Sequence, residues 1–468
     1  MFKFPMPPQA MRYLPLLVAS AFFMQLLDGT ILNTAIPSIA RSFHSDPLKL
    51  HNIVIAYMLT VCILIPASGW ISDKFGSRKV FLFAISFFML GSLLSALSTS
   101  VGMMTSSRII QGIGGAFLMP VGRLVVLRSY PRWMFLKVLN FVTIPGLLGP
   151  LLGPVLGGVL VQYATWHWIF LINIPVGLVG LWATLKIMPN LTAVKKQKFD
   201  WSGFLVFAAS AVLVSMGLEG QGGLADKSRM AILCSAGGLL QIFYWIFSMR
   251  KDTPLFSPSL FRIRNFAIGI AGNLASRLGG SCLPYLIPLF FQVGMGYSAF
   301  KSGLSLIPLA MCNLLAKTIA TPLIRHLGYR NIMVANTLLI GSLLMCFYRI
   351  SPATPEIILI LLLAFLGTVN SIQFTCMNTL TLIDLPDEFA SSGNSLLSMI
   401  MQLSIAISIA VASLLMDGYG NAVDTSSSSI LQAFHKTFLT IGFFSFASSI
   451  IFAFVDKNKG IVVTARQH

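Results

Sequence analysis

Apolar runs near 14–37, 53–72, 80–98, 102–125, 136–161, 168–188, 202–218, 230–249, 266–292, 302–324, 332–350, 356–380, 392–416 and 437–455 follow one another almost without interruption. Each is close to or above the roughly 20 residues with which a helix crosses a hydrocarbon core of about 30 Å. With 56% of its 468 residues hydrophobic and only 10% charged, the chain could not cover a soluble core with a polar surface. The sequence therefore predicts an all-α integral membrane protein of fourteen spans. The amino-terminal stretch MFKFPMPPQAMRYLPLL leads into the first run with no small-residue cleavage pattern, so that segment is expected to stay as a helix.

A formal charge of +18 would point to nucleic acid in a soluble protein, but here the cations are scattered through short loops. Lys74, Arg78, Lys79, Arg123, Arg128, Arg132, Lys137, Lys195, Lys196, Lys198, Arg250, Lys251, Arg262, Arg264, Arg325 and Arg330 fall on one side of an alternating map. The other side holds only Arg41, Lys49, Lys227, Arg229, Lys301, Arg349 and Lys436. By the positive-inside rule the first side is cytoplasmic, and an even number of spans puts both termini there. Membrane lipid, not nucleic acid, is the partner such a chain implies. All six cysteines lie in apolar segments without CxxC spacing, which supports neither a disulfide framework nor a metal site. One cytoplasmic loop reverses the pattern: LIDLPDEFASS, Leu382 to Ser392, holds Asp384, Asp387 and Glu388 and no cation.

The chain repeats itself weakly. GWISDKFGSRK (Gly69 to Lys79) follows the second run as TPLIRHLGYRN (Thr321 to Asn331) follows the tenth, superposing Gly76 on Gly328 and Arg78 on Arg330. Similarity between halves is the mark of transporters built from repeats, with the binding site expected where the repeats meet. The runs then divide into two sets of six, with the seventh and eighth inserted between them.

Four stretches carry a family resemblance. GWISDKFGSRK resembles the loop motif after span two of the major facilitator superfamily, and LDGTILNTAIP (Leu27 to Pro37) the first-span motif of its fourteen-span drug:proton antiporter family. RIIQGIGGA (Arg108 to Ala116) is similar to the fourth-span motif and GPLLGPVLGG (Gly149 to Gly158) to the antiporter motif of span five. WHWIFLINIPVG (Trp166 to Gly177) and GNSLLSMIMQLS (Gly393 to Ser404) add to the likeness, with His167 where an arginine is usual. The resemblance covers essentially the whole chain.

It implies the major facilitator fold, two six-helix bundles plus two extra central helices. The divisions are an N-terminal bundle at 1–188, a cytoplasmic basic linker at 189–201, two inserted helices with their following loop at 202–264, and a C-terminal bundle with a short tail at 265–468. It further implies a monomer in the bacterial inner membrane that exports small organic molecules by alternating access. Protons would be exchanged for substrate, with the proton gradient as energy source and no cofactor.

The residues themselves single out Asp28 and Arg108. Asp28 is the acid that the run pattern places deep in a span, about 21 Å from the cytoplasmic boundary at ~1.5 Å per residue. An ionisable group there is costly and marks a functional hypothesis. Arg108 lies about 9 Å inside the outer boundary, close to the same level. The two could form a pair that breaks and reforms to bind and release a proton, or a permanently ionised strut between spans one and four. Arg277, about 17 Å into the ninth span, has two readings: it faces the substrate cavity, or it caps backbone carbonyls at a break near Gly279 and Gly280. Lys317 could snorkel to the interface. Gln25, Asn33, Gln111, Asn273, Asn370 and Gln373 are polar residues on spans expected to line the cavity, although most such groups simply bond across helices. In span five, Gly149, Gly153, Gly157 and Gly158 with Pro150 and Pro154 suit a bent helix in close contact with a neighbour.

Gly69 is expected to permit close packing of span two, Gly76 to permit a tight turn, and Asp73 to meet the positive end of a helix dipole. By the resemblance, that dipole belongs to span thirteen, beginning at Ser391 and Ser392. Lys74, Arg78 and Lys79 would then face Asp384, Asp387 and Glu388 as a conformational gate. A competing reading is export of one specific, anionic metabolite drawn to Arg108 and Arg277. An intramembrane enzyme would need a nucleophile with a base, or a metal cluster, at one depth, and the six histidines lie in loops, at span ends or in the tail.

Overall fold

A computed structural model describes residues 8–130, 132–192, 199–217, 224–251, 254–420 and 427–455. Among them every regular element is helical. Twelve segments are long and apolar enough to cross a membrane, and two further apolar helices, Leu148–Tyr163 and Trp201–Gly217, are shorter. Large apolar side chains stay exposed along them, such as Leu178, Val179 and Trp182 on one helix and Phe443, Ile450 and Phe454 on another. So much apolar surface suits hydrocarbon as the solvent. The protein is multi-pass.

The chain divides into two compact units, residues 1–204 with 298–303, and 205–297 with 304–468. In the first, the helices are α1 (Pro8–Ser42), α2 (His51–Phe75), α3 (Ser77–Ala96), α4 (Val101–Ser129), α5 (Arg132–Tyr163), the short α6 (Trp168–Leu171) and α7 (Asn173–Ile187). The helix α1 packs chiefly on α5, while α2 and α3 both pack on α4. Local chemistry sets the ends. Asp46 accepts from Leu48 N at 2.9 Å before α2, and Ser100 caps α4 by accepting from Met103 N at 3.2 Å.

The sequence-expected turn sits at Gly76, between α2 and α3, with φ 92° and ψ 138°. Only glycine adopts that backbone without strain. A Cβ there would also fall 2.8 Å from Asn190 Cγ. The neighbouring Ser77 ties the turn to the chain after α7, its hydroxyl donating to Pro189 O at 2.9 Å and accepting from Leu191 N at 3.0 Å. Gly69 departs from expectation. It is exposed, and a Cβ on it would meet nothing within 4 Å, so no close helix contact accounts for it.

The second unit contains most of α8 (Trp201–Gly217), with α9 (Leu224–Ser248), α10 (Arg264–Gly280), α11 (Leu283–Leu289) and a π-turn at Phe290–Gly294. After α12 (Ala299–Ser305) come α13 (Ile307–Cys346), α14 (Glu356–Ile383), α15 (Asp387–Gly420) and α16 (Ser427–Ala453). The sequence treats span nine as one run; the structure interrupts it at Ser281 and Cys282, ahead of Pro284 and Pro288. Proline cannot supply the amide that would continue the ladder. The helix α13 is broken at Gly328, whose φ of 74° and ψ of 160° fall in the same glycine-only region as Gly76. The repeat that superposes these glycines is therefore a repeat of backbone geometry.

Gly76→Ala should destabilise the protein by roughly 1–3 kcal/mol through backbone strain alone. Gly69→Ala should be neutral or slightly stabilising, since alanine is the better helix former and the added methyl touches nothing. Thermal unfolding midpoints of the two purified variants in detergent check the contrast.

Candidate functional site

In the first unit, helices α1, α3, α4 and α7 converge on the carboxylate of Asp28. Arg108 Nη1 donates to Oδ2 at 2.6 Å. Gln111 Nε2 donates to Oδ1 at 2.8 Å, and Asn173 Nδ2 donates to the same oxygen at 3.2 Å. The two amides also donate to one hydroxyl, Ser92 Oγ, at 2.8 and 3.2 Å. Gln111 Oε1 in turn accepts from Arg108 Nη1 at 2.5 Å. That bond fixes the amide, because its oxygen has to face the cation and its nitrogen the carboxylate.

Both charges are 1% exposed. Such a pair stands only if its remaining hydrogen-bonding capacity is met, and removing one partner typically costs about 3–5 kcal/mol. Three N–H donors on the carboxylate meet its side of that condition. The guanidinium lies over the Tyr57 ring of α2 at 4.3 Å and near the Phe170 ring of α6 at 5.9 Å, which spreads its charge onto aromatic faces. Arg108 Nε is buried without a hydrogen-bond partner among the described residues, and the Tyr57 hydroxyl faces the Gln25 side chain. Asn33 is buried too, its Oδ1 without a hydrogen-bond partner among the described residues.

Glycines bring the helices close enough for this. In RIIQGIGGA, a Cβ on Gly112 would lie 2.8 Å from Thr60 Cβ and one on Gly115 2.8 Å from Tyr57 Oη, so this face receives α2. Gly114 turns to α3, where a Cβ would lie 2.8 Å from Phe88 Cα; Gly91 of α3 answers it, 2.5 Å from Gln111 Cα. On the far side of α1 the span-five motif follows the same logic. Gly149, Gly153 and Gly157 would meet Leu27 N at 2.7 Å, Thr30 Cβ at 3.0 Å and Ile31 O at 2.6 Å. These four-residue steps press against the turn of α1 that carries Asp28. Gly158 faces Ala299, and Pro150 and Pro154 are half-buried in the same helix.

The loop motif forms a separate cluster. Asp73 pairs with Arg128 at the end of α4, 2.6 Å apart, each about a third exposed. Arg78 donates to the Leu185 carbonyl of α7, Lys74 lies over the Trp70 ring at 4.8 Å, and Lys79 is exposed. Arg128 entered the sequence reading only as a topological cation.

In the second unit, Arg277 is 8% exposed. Its Nε donates to Asn273 Oδ1 at 3.1 Å, and its guanidinium lies 4.9 Å over the Phe374 ring of α14. Nη2 is buried with no hydrogen-bond partner among the described residues. It does not cap carbonyls at the break, which is closed by Ser281 N donating to Arg277 O at 2.9 Å. Asn370 stands beside Gly280, and Gln373 donates to Thr337 Oγ1 at 2.8 Å, a bond that joins α14 to α13. Asp384 accepts from Asn265 Nδ2 at 2.6 Å. The side chains of Asp387 and Glu388 lie outside the described residues. Lys317 is half-buried. Among the described residues there is no cluster of three or more His, Cys, Asp or Glu that could hold a metal ion.

Ser92 and Asn173 were not singled out by sequence. Asn173 lies inside the WHWIFLINIPVG stretch, which was a signal without a role; Ser92 had no signal.

The model of the Major Facilitator Superfamily matches residues 18–409. Two relatives, each named "Putative multidrug resistance protein MdtD", come from Escherichia coli O1:K1 / APEC and Klebsiella pneumoniae (strain 342). They are 43% and 44% identical over 464 and 462 residues, covering 98% of this chain and 98% of the relative in each case. Among solved structures, a D-xylose-proton symporter superposes with a TM-score of 0.67 at 16% identity, covering 96% of this chain and 99% of that one. A bacterial homologue of the human lysosomal transporter Spinster, inward-facing and unoccupied, gives 0.69 at 12%, covering 96% and 97%. At those identities the likeness is one of fold. Fold, motif order and near full-length identity agree: the chain belongs to the Major Facilitator Superfamily and is a membrane transporter, not an enzyme.

Proposed function

We propose that the protein is a proton-coupled antiporter of fourteen spans that exports small organic molecules across the bacterial inner membrane by alternating access. Both termini are cytoplasmic, the chain acts as a monomer, and the proton gradient supplies the energy without a cofactor. Two six-helix bundles, 1–188 and 265–468, do the work, with the linker 189–201 and the inserted pair 202–264 between them in sequence. The name carried by the 43–44% identical relatives supports drug-like cargo.

One observation carries the proton reading: a carboxylate and a guanidinium, each 1% exposed, 2.6 Å apart on two different spans. Adding a proton to Asp28 removes the charge that holds Arg108, and removing it restores the bond. The close glycine seam of Gly149, Gly153 and Gly157 sits behind the same turn of α1 and supports a helix whose movement is felt at Asp28. The loop motif, with Gly76 as pivot and the exposed Asp73–Arg128 pair beside it, acts as a conformational gate.

A second reading, export of a specific anionic metabolite, is favoured by Arg277. It is a buried cation whose Nη2 lacks a hydrogen-bond partner among the described residues, while Asn273 bonds its Nε and Asn370 of α14 stands beside Gly280 in the same last turn of α10.

In proteoliposomes with an imposed pH gradient, Asp28→Asn should reduce gradient-driven transport to the level of protein-free vesicles while substrate binding persists. Unaltered uphill transport would remove the coupling role. For cargo, broad inhibition by lipophilic cations is expected. Saturable transport of a single carboxylic acid, lost in Arg277→Gln, would instead establish the second reading.

A further inference from the structure

Asp28 accepts three N–H bonds, and every group hydrogen-bonded to its carboxylate among the described residues is a donor. That arrangement fits one ionisation state. A protonated Asp28 has to donate its new O–H, and each group now touching it presents hydrogen. Arg108 can respond only by leaving, because guanidinium has no acceptor. The other members differ. An amide offers a carbonyl where its NH₂ stood once it turns over, and a hydroxyl can give a hydrogen bond where it had received one.

The ring Asp28 Oδ1, Gln111 Nε2, Ser92 Oγ, Asn173 Nδ2 closes on itself, each amide spending one N–H on the carboxylate and one on the hydroxyl. Ser92 never touches Asp28 in this ring; it holds both amides in the plane from which they reach it. Ser92 and Asn173 are also 0% and 2% exposed, so water does not compete for these bonds. Departure of Arg108 would free Gln111 Oε1, the acceptor it now occupies.

We propose that Ser92, Gln111 and Asn173 form an invertible hydrogen-bond ring with Asp28: both amides donate to it while it is a carboxylate, and Gln111 turns over to accept its single O–H, and that of Ser92, when it is a carboxylic acid, with Ser92 as the positioning residue. The chemistry is one O–H bond formed from a proton of bulk water and later broken to return it; no other bond changes. The ring joins spans three, four and six to the ionisation state of span one. Among the described residues the other charged or titratable groups facing Asp28 are Arg108 from α4 and Tyr57 from α2, and the close contacts of α5 on this turn are glycines. This inference rests on the proton-coupling reading for its purpose, though its test does not need a transported substrate.

The test is pH-difference infrared spectroscopy of the purified full chain, with the carboxylic acid C=O band of Asp28 assigned by its loss in Asp28→Asn. In the unmutated chain the band should sit at the frequency of a carboxyl that donates a hydrogen bond. Ser92→Ala, which frees both amides to swing away, should weaken that bond and move the band toward the frequency of a free carboxyl. Ser92→Thr, which keeps the hydroxyl, should restore the frequency. A free-carboxyl frequency in the unmutated chain overturns the proposal even if Ser92→Ala fails to fold. So do an unchanged band in Ser92→Ala, or no Asp28 band down to the pH of unfolding. Uphill transport by Asp28→Asn, by contrast, would end the coupling reading and leave the ring standing.

Discussion

The salt bridge between Asp28 and Arg108 is the constraint around which the first unit is arranged. Neither charge reaches water, so each has to be compensated by protein, and the desolvation of two ions in a membrane interior is large enough to dictate the packing around them. This explains why four helices deliver polar atoms to one point in an otherwise apolar bundle. It also explains the aromatic faces beside Arg108, which take up a cation without demanding another acceptor. A pair with fewer supports would open to water or be replaced by apolar residues. Here the supports are complete on the carboxylate side and incomplete on the guanidinium side, where Nε has no partner among the described residues. The asymmetry leaves Arg108 the less tethered member of the pair.

Helix spacing follows from the same requirement. A side chain as short as serine can bridge two amides only when α3 lies almost in contact with α4, and Gly91 and Gly114 make that approach possible. The α1 helix is approached from behind by glycines at four-residue intervals, so on that side it comes close to the backbone of α5. Backbone-to-backbone seams have few rotamers to rearrange when they slide. The motifs of spans four and five thus serve one geometric end from opposite sides of α1.

Much of this was legible in the sequence, and the parts that were not share a cause. Asp28 and Arg108 stood out because charge is rare in long apolar runs, and Gln111 because it lies one helical turn from Arg108. Gly76 and Gly328 were found by alignment of the two halves, and their matching backbone angles give the alignment its physical meaning. Ser92 was invisible because serine is common in membrane helices and one hydroxyl carries no period or charge. Asn173 sat in a noticed stretch, but its depth relative to Asp28 depends on where α7 begins, which the break at Ile172 decides. Gln373 illustrates the converse: a polar residue expected at a cavity bonds Thr337 across two helices. Gly69 shows that a motif glycine need not be a packing glycine.

The two halves repeat their glycine turn but not their acid–base chemistry. Gly76 and Gly328 share a backbone conformation, whereas the second unit offers Arg277 with an amide and a ring for company and no carboxylate in ion-pair contact among the described residues. Arg277 stands in the last turn of α10, where the carbonyl end of the helix dipole favours a cation. That field offsets part of its burial without needing a second acid. Buried carboxylates among the described residues are two, Asp28 and Asp200, and Asp200 is committed to the start of α8, accepting from Gly203 N at 2.9 Å. Among the described residues Asp28 is therefore the one buried carboxylate set within a long apolar span and not spent on a helix start.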